Sequence, residues 1–177
     1  MKKILTTALI TAGLIAGNYV SAQNTPPDKS KRPSPPATVT QTISSGATIT
    51  INYSQPSVKG RTIGKDLEPM DNKVWRTGAN EATVFETDKN VMVQGKELAA
   101  GKYGLFTIFN GNDVTVIFNK TSEQWGAFNY KESDDALRVN AKSVTAASPS
   151  EKLTFKISPD GVVSLLWDKK KVDFSVK

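Results

Sequence analysis

From Ala37 onward the chain alternates apolar and polar side chains with a period of two. In ATITINY, Ile49, Ile51 and Tyr53 fall on one side while Thr48, Thr50 and Asn52 fall on the other. The preceding ATVTQTI repeats the pattern, and Ser44-Ser45-Gly46 between the two reads as a hairpin turn. The same alternation returns at Val114, Val116 and Phe118, at Leu137, Val139 and Ala141, at Leu153, Phe155 and Ile157, and at Val172, Phe174 and Val176. Successive side chains of a strand point to opposite faces, so each run predicts a strand with one face in a core. YGLFTIF (103–109) and VVSLLW (162–167) are apolar on both faces and predict strands covered on both sides. Turn signals separate these runs: TDKN at 87–90, NGND at 110–113, SPDG at 158–161 and DKKK at 168–171. Past the first two dozen residues no window carries an apolar stripe of helical period. About ten short strands with tight turns predict an all-β fold, an antiparallel β-sandwich of jelly-roll type, with a β-barrel as the alternative.

Between Tyr53 and Ala82 the rhythm stops, in SQPSVKGRTIGKDLEPMDNKVWRTGANE (54–81). Connections this long are functional or disordered more often than not. Val58, Ile63, Leu67, Met70, Val74 and Trp75 are spaced through it as apolar anchors, so it predicts one long ordered loop, with room for a short strand or helical turn.

The N-terminus changes the picture of where the protein works. Lys2 and Lys3 precede a short apolar run, Ile4 to Ala16, and Val20-Ser21-Ala22 offers small residues for a signal peptidase. Residues 1–22 therefore read as a signal peptide cleaved after Ala22, and the protein as exported, periplasmic or secreted. The apolar run is too short to predict a membrane span, and none is expected in the mature chain. Residues 23–36, QNTPPDKSKRPSPP, carry five prolines and read as a disordered, proline-rich linker. Residues 37–177 form the single β-sandwich domain, long enough for a core without disulfides.

Composition then removes chemistries. The chain has no Cys and no His, which closes Ser-His-Asp and Cys-His nucleophile systems, ordinary zinc sites and haem ligation. No cofactor is expected. The net charge of +6 includes Lys2 and Lys3, and the other lysines are dispersed, as on a solvated surface. No nucleic-acid motif is present, and none of that partner class is expected.

Four strings, YSQPSVKGR, VWRTGANEAT, GKYGLFTI and the later VIFN, together resemble domain-of-unknown-function family 2911, a group of exported bacterial proteins. The likeness runs from about Pro35 to the C-terminus. It implies an exported, single β-rich domain and lends no catalytic assignment.

Candidate chemistry therefore rests on residue types in the long loop. Lys59, Arg61 and Arg76 bring positive charge, and Arg forks match carboxylate or phosphate groups. Gly60, Gly64, Gly78 and Asn80 let backbone amides approach a ligand. Glu81 is the nearest carboxylate, and Trp75 would line the site. Lys59, Arg61, Trp75, Arg76, Asn80 and Glu81 thus form a candidate binding set for a small-molecule or glycan ligand, anionic or polyhydroxyl. One alternative is internal: Arg76 pairs with Glu81 or with carbonyls, Gly78-Ala79-Asn80 is a turn, Trp75 is core, and the protein is purely structural. Another is a carboxylate enzyme with Glu81 as base, Arg76 and Lys59 stabilising charge, and Asp71 or Glu68 as a second carboxylate. Asp66, Glu68, Asp71 and Asn72 are oxygen donors of calcium type, but their spacing matches no EF-hand loop. In WGAFNY (125–130), Trp125 is expected opposite Phe128 and Tyr130 on a strand, one face offering a platform for sugar rings.

Overall fold

The computed structural model describes residues 28–177; the expected signal peptide and the start of the proline-rich stretch lie outside them. The described chain builds ten strands: β1 (Pro36–Thr42), β2 (Thr48–Ser54), β3 (Val74–Trp75), β4 (Thr83–Thr87), β5 (Val91–Val93), β6 (Lys96–Leu98), β7 (Gly101–Asn110), β8 (Asp113–Asn119), β9 (Asp135–Ile157) and β10 (Val162–Ser175). Two 3-10 turns, Lys29–Lys31 and Glu132–Asp134, are the only helical pieces among the described residues. No helix there is long and apolar enough to cross a membrane.

Eight strands join in one antiparallel sheet, in the order β1-β2-β4-β7-β8-β9-β10, with β3 also paired to β7; β5 and β6 make a separate hairpin. The all-β, antiparallel expectation holds, and the apolar faces meet by curling one sheet into a half-barrel. The curl is visible in hydrogen bonds. Val58 N–H donates to Glu151 O (2.9 Å) and Leu153 N–H to Pro56 O (3.0 Å), so the far part of β9 meets the chain leaving β2, although β4, β7 and β8 lie between them in the sheet. Strand twist accumulates over a sheet of this width, and bulges sharpen it. The β5–β6 hairpin stoppers one end: Met92 and Lys177 exchange backbone bonds of 2.8 and 2.9 Å, and Val91, Val93 and Leu98 enter the core.

The alternating residues do what their period requires. Ile49, Ile51, Phe85, Leu105, Val116, Phe118, Leu153 and Val163 face one continuous core, with Phe85 edge-on to Phe118 at 5.0 Å and Tyr53 edge-on to Phe155 at 4.9 Å. β7 is covered on both sides as its sequence predicts. Leu105 and Phe109 join the main core, while Phe106 packs in an outer cluster with Ala82 and Ile117, against which Val74, Ile108 and Tyr130 lean.

Three expectations change. DKKK (168–171) does not end a strand. β10 runs through it, with Asp168 at φ 49° and register shifts on either side, so a turn-like composition is absorbed as a bulge. The two runs at 137–141 and 153–157 are likewise one bent strand, β9. VVSLLW is buried on one face only: Val163, Leu165 and Trp167 point inward and Val162, Ser164 and Leu166 are half-buried, because β10 ends the sheet with β9 as its one ladder partner there.

The arrhythmic 54–81 stretch is ordered, and it contains a short strand, β3. Ser57 bridges to Lys152, Ile63 to Leu67 and Asp71 to Phe109, while Val58 and Trp75 are buried and Ile63 and Leu67 pack on the core. Residues 28–35, within the expected tether, are tied to the domain as well: Gln55 N–H donates to Pro35 O at 2.9 Å.

Candidate binding site

The turn after β3 is held by its own residues. Thr77 and Asn80 sit at φ 53° and 59°, a left-handed conformation that costs a non-glycine residue and needs compensation. The compensation is a set of hydrogen bonds: Thr83 N–H to Arg76 O (3.1 Å), Thr83 Oγ1 to Thr77 O (2.9 Å) and Trp75 Nε1 to Gly78 O (3.1 Å). Trp75 itself is core, 3 % exposed and stacked on Trp167 at 5.8 Å and 13°. It does not line an open site.

Arg76 and Glu81 do not pair. Arg76 Nη1 donates to Asn80 O at 2.9 Å. Asn80 Nδ2 donates to Ser34 O at 3.0 Å and lies 3.4 Å from Ser54 Oγ. Glu81 instead faces the segment before β1. Arg32 Nη1 donates to its Oε1 (3.0 Å) and Oε2 (2.8 Å), and Lys29 Nζ lies 3.0 Å from Oε1. Partial burial pushes the Glu81 carboxyl up, but its own backbone N–H, Arg32 and Lys29 outweigh that and bring it down to about 2.

Lys59 and Arg61 belong to another part of the surface. The Lys59 backbone N–H donates to Glu151 Oε1 (2.9 Å), and Arg61 spends its guanidinium on Val58 O (3.1 Å) and Ser57 O (2.8 Å). Glu68 and Asp71 also act locally, accepting from Met70 N–H (2.9 Å) and Gly111 N–H (3.4 Å). Neither shares a partner with Glu81. Among the described residues no three acidic side chains gather as a metal site.

What does gather at Glu81 is the loop between β8 and β9. Glu81 and Trp125 form an antiparallel bridge, framed by Ala82 N–H to Gln124 O (2.9 Å) and Gly126 N–H to Asn80 O (3.0 Å). WGAFNY is thus a turn and not a strand. Trp125 stays 52 % exposed and Phe128 79 %, while Tyr130 turns inward onto Phe106 at 5.1 Å. The Arg32 guanidinium sits over the Trp125 ring, 5.9 Å from its centre. Gly126 has φ 66°, and a Cβ there would come within 3.0 Å of Arg76 Nη1 and 3.1 Å of the Phe128 ring.

The loop is anchored behind. Tyr130 Oη donates to Asp135 Oδ2 (2.7 Å), Arg138 Nη2 to Tyr130 Oη (2.7 Å), Arg138 Nε to Asp135 Oδ2 (2.7 Å) and Asn119 Nδ2 to Asp135 Oδ1 (2.8 Å). Burial, then the bond to Asp135, push the Tyr130 phenol up to about 12, against the opposing effect of Arg138. The aromatic turn is therefore presented on a rigid base.

Two recesses lie near the ladder that Asn80–Glu81 makes with Trp125–Gly126. One of about 190 Å³ includes Lys29, Thr38, Asn52, Glu81 and Val84; the other, about 230 Å³, includes Glu68, Arg76, Ala127 and Phe128. Wider troughs of about 430 and 440 Å³ lie elsewhere, along Asn140 and Lys142 and beside Lys169 and Lys170. They are open strand surfaces, and in the first the charges of Lys142 and Asp113 are already paired.

Of the six sequence candidates, the structure brings Arg76, Asn80 and Glu81 together, places Trp75 in the core behind them, and puts Lys59 and Arg61 elsewhere. Lys29 and Arg32 were missed: in the sequence they are two cations of KSKR in a proline-rich segment, with nothing local to point at Glu81. Trp125 and Phe128 carried a signal, as aromatics in a polar, glycine-containing stretch.

The family model described as a protein of unknown function, DUF2911, matches residues 34–176. No curated protein and no solved structure matches the chain.

Proposed function

The chain belongs to the DUF2911 family, and since that family brings no activity with it, we propose from the site's own chemistry a non-catalytic binding domain for an anionic or polyhydroxyl, glycan-like ligand. One observation carries the reading: a half-exposed indole, Trp125, is bridged to Glu81 and flanked by Arg32 and Lys29. Sugar rings stack their apolar faces on exposed indoles, and neighbouring charged groups serve the hydroxyls or an acidic substituent. Two cations, Lys29 and Arg32, face the one carboxylate of Glu81, and Arg76, bonded to Asn80 O, adds a third positive charge on the other side of the turn, a balance that favours a negative ligand. Glu81, brought down to about 2, is a poor proton acceptor at neutral pH, so the reading favours binding over base catalysis. The leader-like pattern of residues 1–22 supports an exported, periplasmic or secreted setting.

A purely structural envelope role is the second reading, favoured by one fact. Arg61, Trp75 and Asn80 spend polar groups on the chain itself.

Titration with acidic and neutral oligosaccharides, followed by tryptophan fluorescence and the Trp125 indole N–H resonance, separates the two. Binding that perturbs Trp125 and is lost in Trp125→Ala, with the melting temperature unchanged, is expected. Binding that persists in Trp125→Ala would remove the site from this turn.

A further inference from the structure

The two recesses are not independent hollows. Both border the short ladder where Asn80–Glu81 meets Trp125–Gly126. Glu81 opens onto one side together with Lys29. Arg76, tied to Asn80 O, opens onto the other beside Phe128. The first side has Lys29 and Glu81 in its lining, with Trp125 reached through its bridge to Glu81 and through Arg32, which sits over the indole and bonds Glu81; the second has Arg76, Glu68 and Phe128 in its lining.

Gly126 makes this pairing compact. A Cβ there would come within 3.0 Å of Arg76 Nη1 and 3.1 Å of the Phe128 ring, at a φ of 66°, so the chain turns tightly against the Arg76 guanidinium and the Phe128 ring. The same chemistry offered twice, on either side of one aromatic ridge, matches a ligand that repeats its own chemistry along its length.

Resting on the binding reading above, we infer that the site takes an extended acidic oligosaccharide, a chain of at least two uronate-type rings lying across the Trp125–Phe128 ridge, and not a single sugar. One ring rests against Trp125 with its carboxylate toward Lys29 and Arg32. The next rests against Phe128 with its carboxylate toward Arg76. A single ring can use only one of these sides. Joining two rings makes the second contact intramolecular, so affinity climbs with chain length until both sides are filled and then levels off. Because each step adds an ion pair at an exposed surface, the gain shrinks with added salt.

The test is calorimetric titration of the protein with galacturonate oligomers of one to six rings, beside neutral gluco-oligomers of the same lengths. Affinity for the acidic series is expected to rise about tenfold or more from one ring to the plateau, with the neutral series weaker at every length. Phe128→Ala is expected to flatten the length dependence, and Trp125→Ala to weaken every length. Single-ring uronate binding as tightly as the six-ring chain would overturn the oligomer inference while leaving the binding reading intact. Neutral oligomers matching acidic ones would overturn the uronate class. If no acidic or neutral oligosaccharide binds at any length, the binding reading itself fails.

Discussion

Arg32 reaches Glu81 across 49 positions of sequence, its Nη1 donating to both carboxylate oxygens at 3.0 and 2.8 Å. With Lys29 on the same carboxylate and Asn80 on Ser34 O, this contact staples the residues before β1 to the turn after β3. It also sets Arg32 over Trp125. The staple and the aromatic ridge are one unit.

The staple is expected to loosen in acid. In the fold the Glu81 carboxyl lies at about 2, below its ordinary 4.5. A lowered carboxyl contributes stability that is whole above the ordinary value and is lost as pH falls toward the folded one, here from about 4.5 to about 2. The Glu81 side chain is 39 % exposed, so solvent screening holds the contribution to about 1 kcal/mol or less. Urea denaturation of the parent and Glu81→Gln across that window measures it: the gap between them should close at the acid end.

The two tryptophans of the region are expected to part ways. Trp75→Ala empties a stacked, buried position against Trp167 and should cost about 3–5 kcal/mol. Trp125→Ala removes a half-exposed ring and should stay within about 0.5 kcal/mol. Denaturant midpoints of both variants decide this, and a costly Trp125→Ala would mean that the ring is a packing element.

Gly161 closes the far end of the molecule. It has φ 85°, and a Cβ there would lie 1.9 Å from Val176 O, while Val176 N–H donates to Gly161 O at 2.7 Å. Gly161→Ala should cost about 2 kcal/mol or more, since strain and a backbone clash combine. Faster hydrogen exchange at Val176, together with a lower melting temperature, is the expected signature.

The base under the aromatic turn can be broken in steps. Tyr130→Phe removes one hydroxyl from the Asp135–Arg138 network and should cost about 1 kcal/mol; Asp135→Ala, which removes the acceptor shared by Asn119, Tyr130 and Arg138, should cost about 2–3 kcal/mol. The raised phenol gives a second readout. Its contribution is whole below the ordinary value of 10 and is lost as pH rises through about 12. In an alkaline absorbance titration Tyr130 should ionise late, and that late component should be missing in Tyr130→Phe.

Much of the fold was legible because strand alternation is local. Whether Ile49, Ile51 and Tyr53 share a face depends on their spacing alone, and the structure buries all three. The ordered character of 54–81 was legible too, since its apolar anchors occur at intervals and find the core. Bulges were not. DKKK looks like a turn, and only the continued pairing of β9 with β10 on both sides of Asp168 makes it part of a strand. Of the candidate site, the cluster WRTGANE pointed to the right turn. Lys59 and Arg61 were drawn in by charge and sequence proximity, yet Ser57, Val58 and Lys59 are tied to Glu151 and Lys152 of β9, away from Glu81.

By itself, then, the sequence determined the all-β class, the family, the inward faces and the ordered state of the long loop. Each of these follows from periods and compositions that a short window contains. The tertiary structure alone decided that Glu81 takes Arg32 and Lys29 as partners, that Trp75 stacks on Trp167, and that Trp125 and Phe128 stay in the open beside Glu81 and Arg76. Those outcomes depend on how far one sheet curls and which loops it brings to the same end. That curl is the sum of twists and bulges over many strands, a quantity no short stretch of residues carries.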